Sequence, residues 1–358
     1  MTFNILDKRT YIIAEAGVNH NGNYSLAKKL IQKAKNCNAD AIKFQIFKAD
    51  STSLRNTKMA DYQVKNVRKK ISQHELLKSL ELKKEEYFKL KKIAKLKKID
   101  FLVSVFDETS LIYFDKNING KVLKIPSGEI TNYFLLKRLN LKKYKIILST
   151  GMSNKIEIKN ALNLISKSSI YESRNNKIFI KNKKKHAHIK NRIFLLHCVS
   201  DYPASENFLN LNCIKTLNEE FGLDVGFSDH TKGISASTTA VALGAKILEK
   251  HFTLNRNMNG PDHTSSLDPS QFLKLVREVR RTEIMLGSNI KKVQKCEISN
   301  MRAVRKSIVA KKNIIKFEKI TEQKLTSKRP GTGISPMRIN EFINKASKKN
   351  IKKNDLLK

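Results

Sequence analysis

Residues 41–47 read AIKFQIF and residues 246–252 read KILEKHF. Each is a short β-type run in which polar side chains recur at every second position: Lys43 and Gln45 in the first, Glu249 and His251 in the second. Successive side chains of a strand point to opposite faces, so in the first run Ile42, Phe44 and Ile46 form an apolar face opposite Lys43 and Gln45, and in the second Ile247, Glu249 and His251 share one face. In a parallel barrel the apolar face is covered by helices. The charged face then points into the barrel, where active sites are built at the C-terminal ends of the strands. Working outward, six further runs fit the same reading: YIIAEA from Tyr11, DFLVSVF from Asp100, VLKI from Val122, KIILS from Lys145, RIFLLHC from Arg192 and DVGFS from Asp224. Amphipathic segments lie between them, such as SLAKKLIQKAKNC after the first and SASTTAVALGA after the seventh. Eight β/α units over about 285 residues suit a (β/α)8 TIM barrel, which typically takes about 250 residues. A doubly wound open sheet is the competing arrangement.

The reading divides the chain into a barrel domain (1–285), a basic linker (286–300) and a small α+β domain (301–358) whose turns are marked by Pro330-Gly331 and Gly333. The segment 166–191 reads as a basic loop between the fifth helix and the sixth strand. Four scattered cysteines (Cys37, Cys198, Cys213, Cys296) form no C-x-x-C pair, which argues against a disulfide framework or a zinc ribbon. No run approaches the ~18 apolar residues of a membrane span, and the N-terminus lacks the pattern of a secretory signal. The expectation is a reduced, cytoplasmic enzyme without a membrane partner.

The formal charge is +39, a field able to attract nucleic acid. Yet Lys outnumbers Arg, Asn and Ile are abundant and Trp is absent. Lys, Asn and Ile share A/T-rich codons, so solvated helix faces under codon bias account for the charge. No zinc-finger, RRM or helix-turn-helix signature is present, and no specific nucleic-acid partner is expected.

The informative polar residues cluster at strand ends: Glu15, Lys43, Ser104, Lys124, Ser149, His197, His230 and His251. His230 and His251 end neighbouring strands about 4.8 Å apart, so their imidazoles can reach one divalent cation and leave positions open. Each taken singly is an ordinary structural histidine. Lys43, Lys124, Ser127 and Ser149 form an anion-binding set, the lysines as point charges and the SGE and STG turns as hydroxyls and backbone N–H groups. Glu15 and Glu129 can orient hydroxyls or move protons, or form salt bridges at the barrel mouth. Arg329 before a turn is ambiguous by itself.

Nine motifs in order, AEAGVNHNG, IKFQIFKAD, KIPSGEITN, ILSTGM, LLHCVSDYPA, VGFSDHTKGI, ALGAKILEKHFTL, NGPDHTSSLDP and KRPGTGISPM, resemble the sialic acid synthase family, which includes legionaminic and pseudaminic acid synthases. The resemblance runs from about Tyr11 to the C-terminus. It implies a TIM barrel followed by an antifreeze-like (SAF) domain, and condensation of phosphoenolpyruvate with an N-acetylated amino sugar. N-acetylmannosamine giving N-acetylneuraminate is the main expectation, a 2,4-diacetamido hexose giving legionaminic or pseudaminic acid the alternative. By the same resemblance, His230 and His251 hold manganese or magnesium, while Lys43, Ser104, Lys124, Ser127, Ser149 and Ser200 contact phosphoenolpyruvate. Glu15, Glu129, Tyr202 and Asp262 surround the sugar, with the general base unassigned, and Arg329 reaches its acyl group across a domain-swapped homodimer. Two departures stand out: VSVF ends the third strand where STPF is common, and Phe317 occupies a position where a turn glycine is usual.

Overall fold

The computed structural model describes residues 9–67 and 70–357. The chain divides into two compact units, Met1–Gly287 and Ser288–Lys358. In the first, eight parallel strands close into a barrel: β1 (Tyr11–Gly17), β2 (Ala41–Ile46), β3 (Asp100–Val105), β4 (Val122–Ile125), β5 (Lys145–Ser149), β6 (Ile193–Cys198), β7 (Val225–Asp229) and β8 (Ile247–His251). β8 pairs with β1, matching His251 to Glu15, and β1 pairs with β2, matching Glu15 to Lys43. All eight strands lie where the alternation placed them, and the open sheet is excluded.

The period of two sorts the apolar residues into two cores. Tyr11, Ile13, Ala41, Leu102, Val122, Ile147, Phe194, Leu196 and Ile247 fill the barrel interior. Ile12, Ile42, Phe44, Val103, Leu123, Ile146, Leu195 and Leu248 face outward onto the helices. Helix Tyr24–Asn36 shows why the connecting segments are helical. Ala27, Leu30, Ile31 and Ala34 are its buried residues, and the Asn23 side chain caps its start by accepting from the Leu26 N–H. That spacing puts one apolar stripe on the barrel, and the cap satisfies an orphan backbone donor.

The outward faces also hold one buried ion pair. Lys250 Nζ lies 2.9 Å from Asp229 Oδ2, both side chains fully enclosed, and also donates to the Thr231 carbonyl at 2.7 Å. Lys250→Met is expected to destabilise the protein by about 3–5 kcal/mol, because Asp229 would remain charged and buried without its partner. Thermal melting of Lys250→Met against the double variant Lys250→Met/Asp229→Leu checks this. The double variant should recover most of the loss, and equal melting of all three proteins would show the pair to be energetically idle.

The segment expected as a basic loop is folded. Tyr171–Arg174 and Lys177–Ile180 form an antiparallel hairpin, followed by helix Lys183–Ile189. Asn175 and Asn176 supply the turn, with φ of 47° and 57°, the left-handed pair that a two-residue type I′ turn requires. Tyr171, Ile178 and Ile189 join the main core. The Tyr171 hydroxyl donates to the Phe221 carbonyl at 2.9 Å, capping the end of a neighbouring helix. Lysine content hid this element, because the few apolar residues that anchor it are spread through charge.

The second unit contains a short helix (Ile298–Val304) and an antiparallel pair, β9 (Ser307–Ala310) with β10 (Leu325–Lys328). Its small core comprises Ile308, Ala310, Ile314, Ile320, Leu325, Ile351 and Leu357. Phe317, where a glycine is usual, adopts φ of 68° with its ring exposed to solvent. The turn keeps its left-handed geometry despite the Cβ, at a cost of roughly 1–2 kcal/mol.

Candidate active site

Inward side chains near the strand ends surround a cavity of about 450 Å³. At its floor lies a four-membered charge network. Lys43 Nζ is 2.7 Å from Glu15 Oε2 and 3.6 Å from Glu249 Oε2, and it donates to Ser104 Oγ at 3.0 Å. Lys124 Nζ donates to both Glu249 oxygens, at 3.0 and 3.2 Å. Ser228 Oγ donates to Glu249 Oε1 at 2.9 Å. All four charged side chains are at least nine-tenths buried, so each depends on its partners to remain ionised.

The two carboxylates are driven apart. Burial alone would raise both, but Lys124 and Lys43 together outweigh it at Glu249 and hold that group well below the ordinary range. Glu15 has only Lys43 at ion-pair distance and feels the charge of Glu249, so burial wins and its carboxyl is raised. Two titratable groups separated in this way divide the roles of proton carrier and fixed charge. For Lys43, burial is outweighed by Glu15 and Glu249, which raise it. For Lys124 burial dominates over its single carboxylate, lowering it.

β4 to β6 supply the hydroxyl side of the cavity. Ser127 Oγ accepts from the Gly151 N–H at 3.0 Å and lies 3.2 Å from Cys198 Sγ. A Cβ at Gly151 would come within 2.4 Å of Ser200 Oγ and 2.9 Å of Ser127 Oγ. The glycine therefore lets the STG backbone approach the two serines, and Ser149 lines the same space.

On the opposite side, the rings of His230 and His251 are 5.6 Å apart, with Tyr202 packed on both, 4.2 Å from the first and 5.6 Å from the second. His230 Nδ1 lies 2.6 Å from the Val199 carbonyl. A carbonyl only accepts, so Nδ1 carries the proton and Nε2 presents its lone pair. Burial pushes His230 down to about 4 and His251 well below its usual value, which keeps both imidazoles neutral. His251 Nδ1 is buried without a hydrogen-bond partner, 3.9 Å from Asp262 Oδ2. Burial and the nearby Glu15 raise Asp262 to about 7. Neutral rings, one unprotonated nitrogen (His230 Nε2, with only a 3.3 Å contact to Ser228 Oγ), one orphaned nitrogen and a carbonyl-bonded second nitrogen suit a divalent metal. Among the described residues no set of three or more His, Cys, Asp or Glu is arranged for an ion, so the two imidazoles would be its protein ligands and other positions would stay open.

Eleven of the thirteen expected site residues line this one cavity: Glu15, Lys43, Ser104, Lys124, Ser127, Ser149, Ser200, Tyr202, His230, His251 and Asp262. Glu129 does not. It sits on the turn after β4 and accepts from Asn132 at 2.6 Å, with burial raising its carboxyl. Arg329 belongs to the second unit, where its Nε–H donates to the Val304 carbonyl at 3.0 Å. His197 departs from the strand-end ring: it faces outward, stacked on Phe227 and 2.6 Å from the Leu209 carbonyl. On β6 the inward register belongs to Phe194 and Leu196, and the neighbouring position necessarily points away. Sequence reasoning left Glu249, Ser228, Gln45 and Tyr62 without roles, although all four line the cavity. Gln45 and Glu249 stand on strand faces already marked as polar, and Ser228 shares a face with His230 two residues on, so parity alone could have assigned them. Tyr62 comes from the long β2–β3 connection, where no periodicity announced it.

Barrel and cavity together define a TIM-barrel protein whose chemistry gathers at the C-terminal mouth, with a separate small C-terminal unit. The chain belongs to the NeuB family, the family of sialic acid synthases: residues 30–291 match that family's model, and residues 305–358 match the SAF domain. It is 45% identical to the N,N'-diacetyllegionaminic acid synthase of Campylobacter jejuni, over 98% of this chain and 99% of that protein. It is 32% identical to the N-acetylneuraminate-9-phosphate synthase of Homo sapiens, over 89% of this chain and 82% of that one. The crystal structure of the N-acetylneuraminic acid synthetase from Leptospira borgpetersenii in complex with citrate superposes with a TM-score of 0.66. That match has 33% identity and covers 82% of this chain and 90% of that one. Among the described residues no helix is long and apolar enough to cross a membrane.

Proposed function

We propose that this protein condenses phosphoenolpyruvate with a 2,4-diacetamido hexose to give a nine-carbon acid of the N,N'-diacetyllegionaminic type. The observation that carries the reading is 45% identity, along essentially the whole of both chains, to a synthase of that acid. A Legionella pneumophila synthase of the same acid is 41% identical. The order of the two acceptors expected from the sequence is thereby reversed. N-acetylmannosamine remains the second reading, favoured by the Leptospira likeness.

The residues divide the work as follows. Lys43, Lys124, Ser104, Ser127, Ser149, Ser200 and the Gly151 turn hold the phosphate and carboxylate of phosphoenolpyruvate. Tyr202, Asp262 and Glu15 border the open-chain sugar, whose aldehyde lies toward His230 and His251. A divalent manganese or magnesium ion on those imidazoles supplies Lewis acidity. The enol carbon of phosphoenolpyruvate forms the new C–C bond, and the aldehyde oxygen takes a proton to become a hydroxyl. Water adds to the phosphate-bearing carbon, and the tetrahedral product loses inorganic phosphate to leave the ketone. Glu15, with its raised pKa, is the side chain suited to carry the proton, while the two lysines hold charge that grows on the leaving phosphate. Arg329, from the second subunit of a homodimer, would complete the proposed sugar contacts, while Glu129 lies outside the cavity lining.

Phosphate release from phosphoenolpyruvate, measured with manganese and each acceptor in turn, tests the reading. Release is expected with the 2,4-diacetamido hexose and at least about tenfold less kcat/KM with N-acetylmannosamine, a discrimination of more than about 1.4 kcal/mol. The opposite preference would replace the proposed acceptor, and no release with either would remove the activity.

A further inference from the structure

The cavity has one wall that the reaction as described does not use. Between β2 and β3 the chain makes an excursion that ends in helix Gln73–Leu80. The helix presents Leu76, Leu77 and Leu80 on one side, as the i, i+1, i+4 spacing allows. These three leucines, with Val18 and Phe106, line the cavity. They belong to a hydrophobic cluster built on Val18, Phe47, Met59, Leu76 and Leu80, separate from both barrel cores.

The helix is held in place by polar contacts outside the cavity. Ser72 and Glu75 form a capping box at its start. His74 Nε2 and Lys78 Nζ lie 2.9 and 3.2 Å from the Asp50 carboxylate. Just past its end, Glu81 accepts from the Ala49 N–H at 2.8 Å. The leucines are thereby fixed toward the cavity.

An apolar wall in a sugar site faces an apolar part of its ligand, because a hydroxyl turned against it would lose its hydrogen bonds. The wall has a defined height. Ser104 and Phe106 share a face of the β3 segment two residues apart, so Phe106 stands above the floor of charges toward the mouth. On the proposed function the reacting aldehyde would lie deep, between the imidazoles and Lys43. The second carbon and its acetamido group follow directly, and the fourth carbon lies two bonds further out, at the level of the leucines. In that pose the methyl of an acetamido group at that carbon would be buried against the leucines, with Thr52, Gln63 and Gln73 of the same lining available to its amide, whereas a hydroxyl would leave the leucines without an apolar partner.

We infer that helix Gln73–Leu80 recognises the substituent on the fourth carbon of the acceptor, with Leu77 as the side chain whose polarity sets the choice between acetamido and hydroxyl. This rests on the proposed function. Leu77 suits the test because it is only partly buried and packs at the edge of the cluster, while Leu76 and Leu80 are enclosed in it.

The experiment measures kcat/KM for a 2,4-diacetamido hexose and for N-acetylmannosamine, at saturating phosphoenolpyruvate, in wild type, Leu77→Asn and Leu77→Met. Leu77→Asn is expected to lower the value for the diacetamido sugar by about 10–100-fold, the usual worth of one apolar group in a pocket. The value for N-acetylmannosamine should stay constant or rise, and the KM for phosphoenolpyruvate should not move. Leu77→Met, similar in volume and apolar, should behave as wild type. If Leu77→Asn does not fold, Leu77→Ala should shift the ratio in the same direction by a smaller factor. Equal losses on both acceptors, or no loss on either, would overturn the wall while leaving the proposed function intact. A wild-type enzyme that turns over N-acetylmannosamine and not the diacetamido sugar would overturn both.

Discussion

Glu249→Gln should melt roughly 6–20 °C below the wild type and retain less than about 1% of its activity, and added inorganic phosphate should restore part of the lost stability. The stability figure follows from breaking a buried ionic network, about 3–5 kcal/mol, converted at roughly 2–4 °C per kcal/mol. Glu249 is the carboxylate that touches both lysines, hydrogen-bonded to Lys124 and 3.6 Å from Lys43. A neutral amide would leave two enclosed ammonium groups with only Glu15 to balance them. Phosphate can stand in for the missing charge and stabilises by mass action, a rescue that a simple packing defect would not show. The activity figure reflects displaced lysines, since a small misplacement of a positioning group costs about a hundredfold. Differential scanning fluorimetry with and without phosphate reads the first effect, and phosphate release in saturating substrates reads the second. A variant that melts with the wild type would mean that the two lysines do not depend on Glu249.

His251→Ala is expected to lose manganese binding and about a thousandfold or more in turnover, the loss of several kcal/mol of Lewis-acid stabilisation. His230 spends its Nδ1 proton on the Val199 carbonyl, and His251 Nδ1 has no hydrogen-bond partner despite full enclosure. If two protein imidazoles hold the ion, removing one would halve the protein's share of the coordination. Electron paramagnetic resonance of manganese titrated into substrate-free protein measures binding apart from catalysis. Undiminished binding with near-normal rates in His251→Ala would sink the metal assignment, and His230→Ala should behave in the same way.

The barrel was legible because its strands carry a physical code that survives a lysine-rich composition. Ile42 and Phe44 outward with Lys43 and Gln45 inward is the same statement in sequence and in space. Register then placed Glu15, Lys43, Ser104, Lys124, Ser149, His230 and His251 around one cavity. The code fails where no face is buried on both sides. The hairpin at Tyr171–Ile180 was hidden among lysines, although Asn175-Asn176 between two short β-type runs is a turn signal. Tyr62 and Leu77 were invisible for another reason: they line the site from a connection whose position depends on tertiary contacts such as Lys48 with Glu81. His197 shows the reverse error, a polar strand-end residue taken as inward when the register of β6 turns it out. Arg329 was named from the family pattern alone; in this chain it lies in the second unit, bonded to the Val304 carbonyl.

The floor of the cavity carries two positive and two negative side chains and is therefore electrically balanced before any substrate arrives. The wider chain is not, at +39. Capture and retention of the anion are thus assigned to different parts of the molecule. On the proposed function the net positive charge would draw the anion in from solution, a kinetic effect that weakens with ionic strength. Inside, the ligand must compete with Glu15 and Glu249 for the same ammonium groups. On the proposed function the carboxylates would act as resident counter-ions, occupying the berth between turnovers and reclaiming it as phosphate departs, so that product release would be built into the resting arrangement of the barrel.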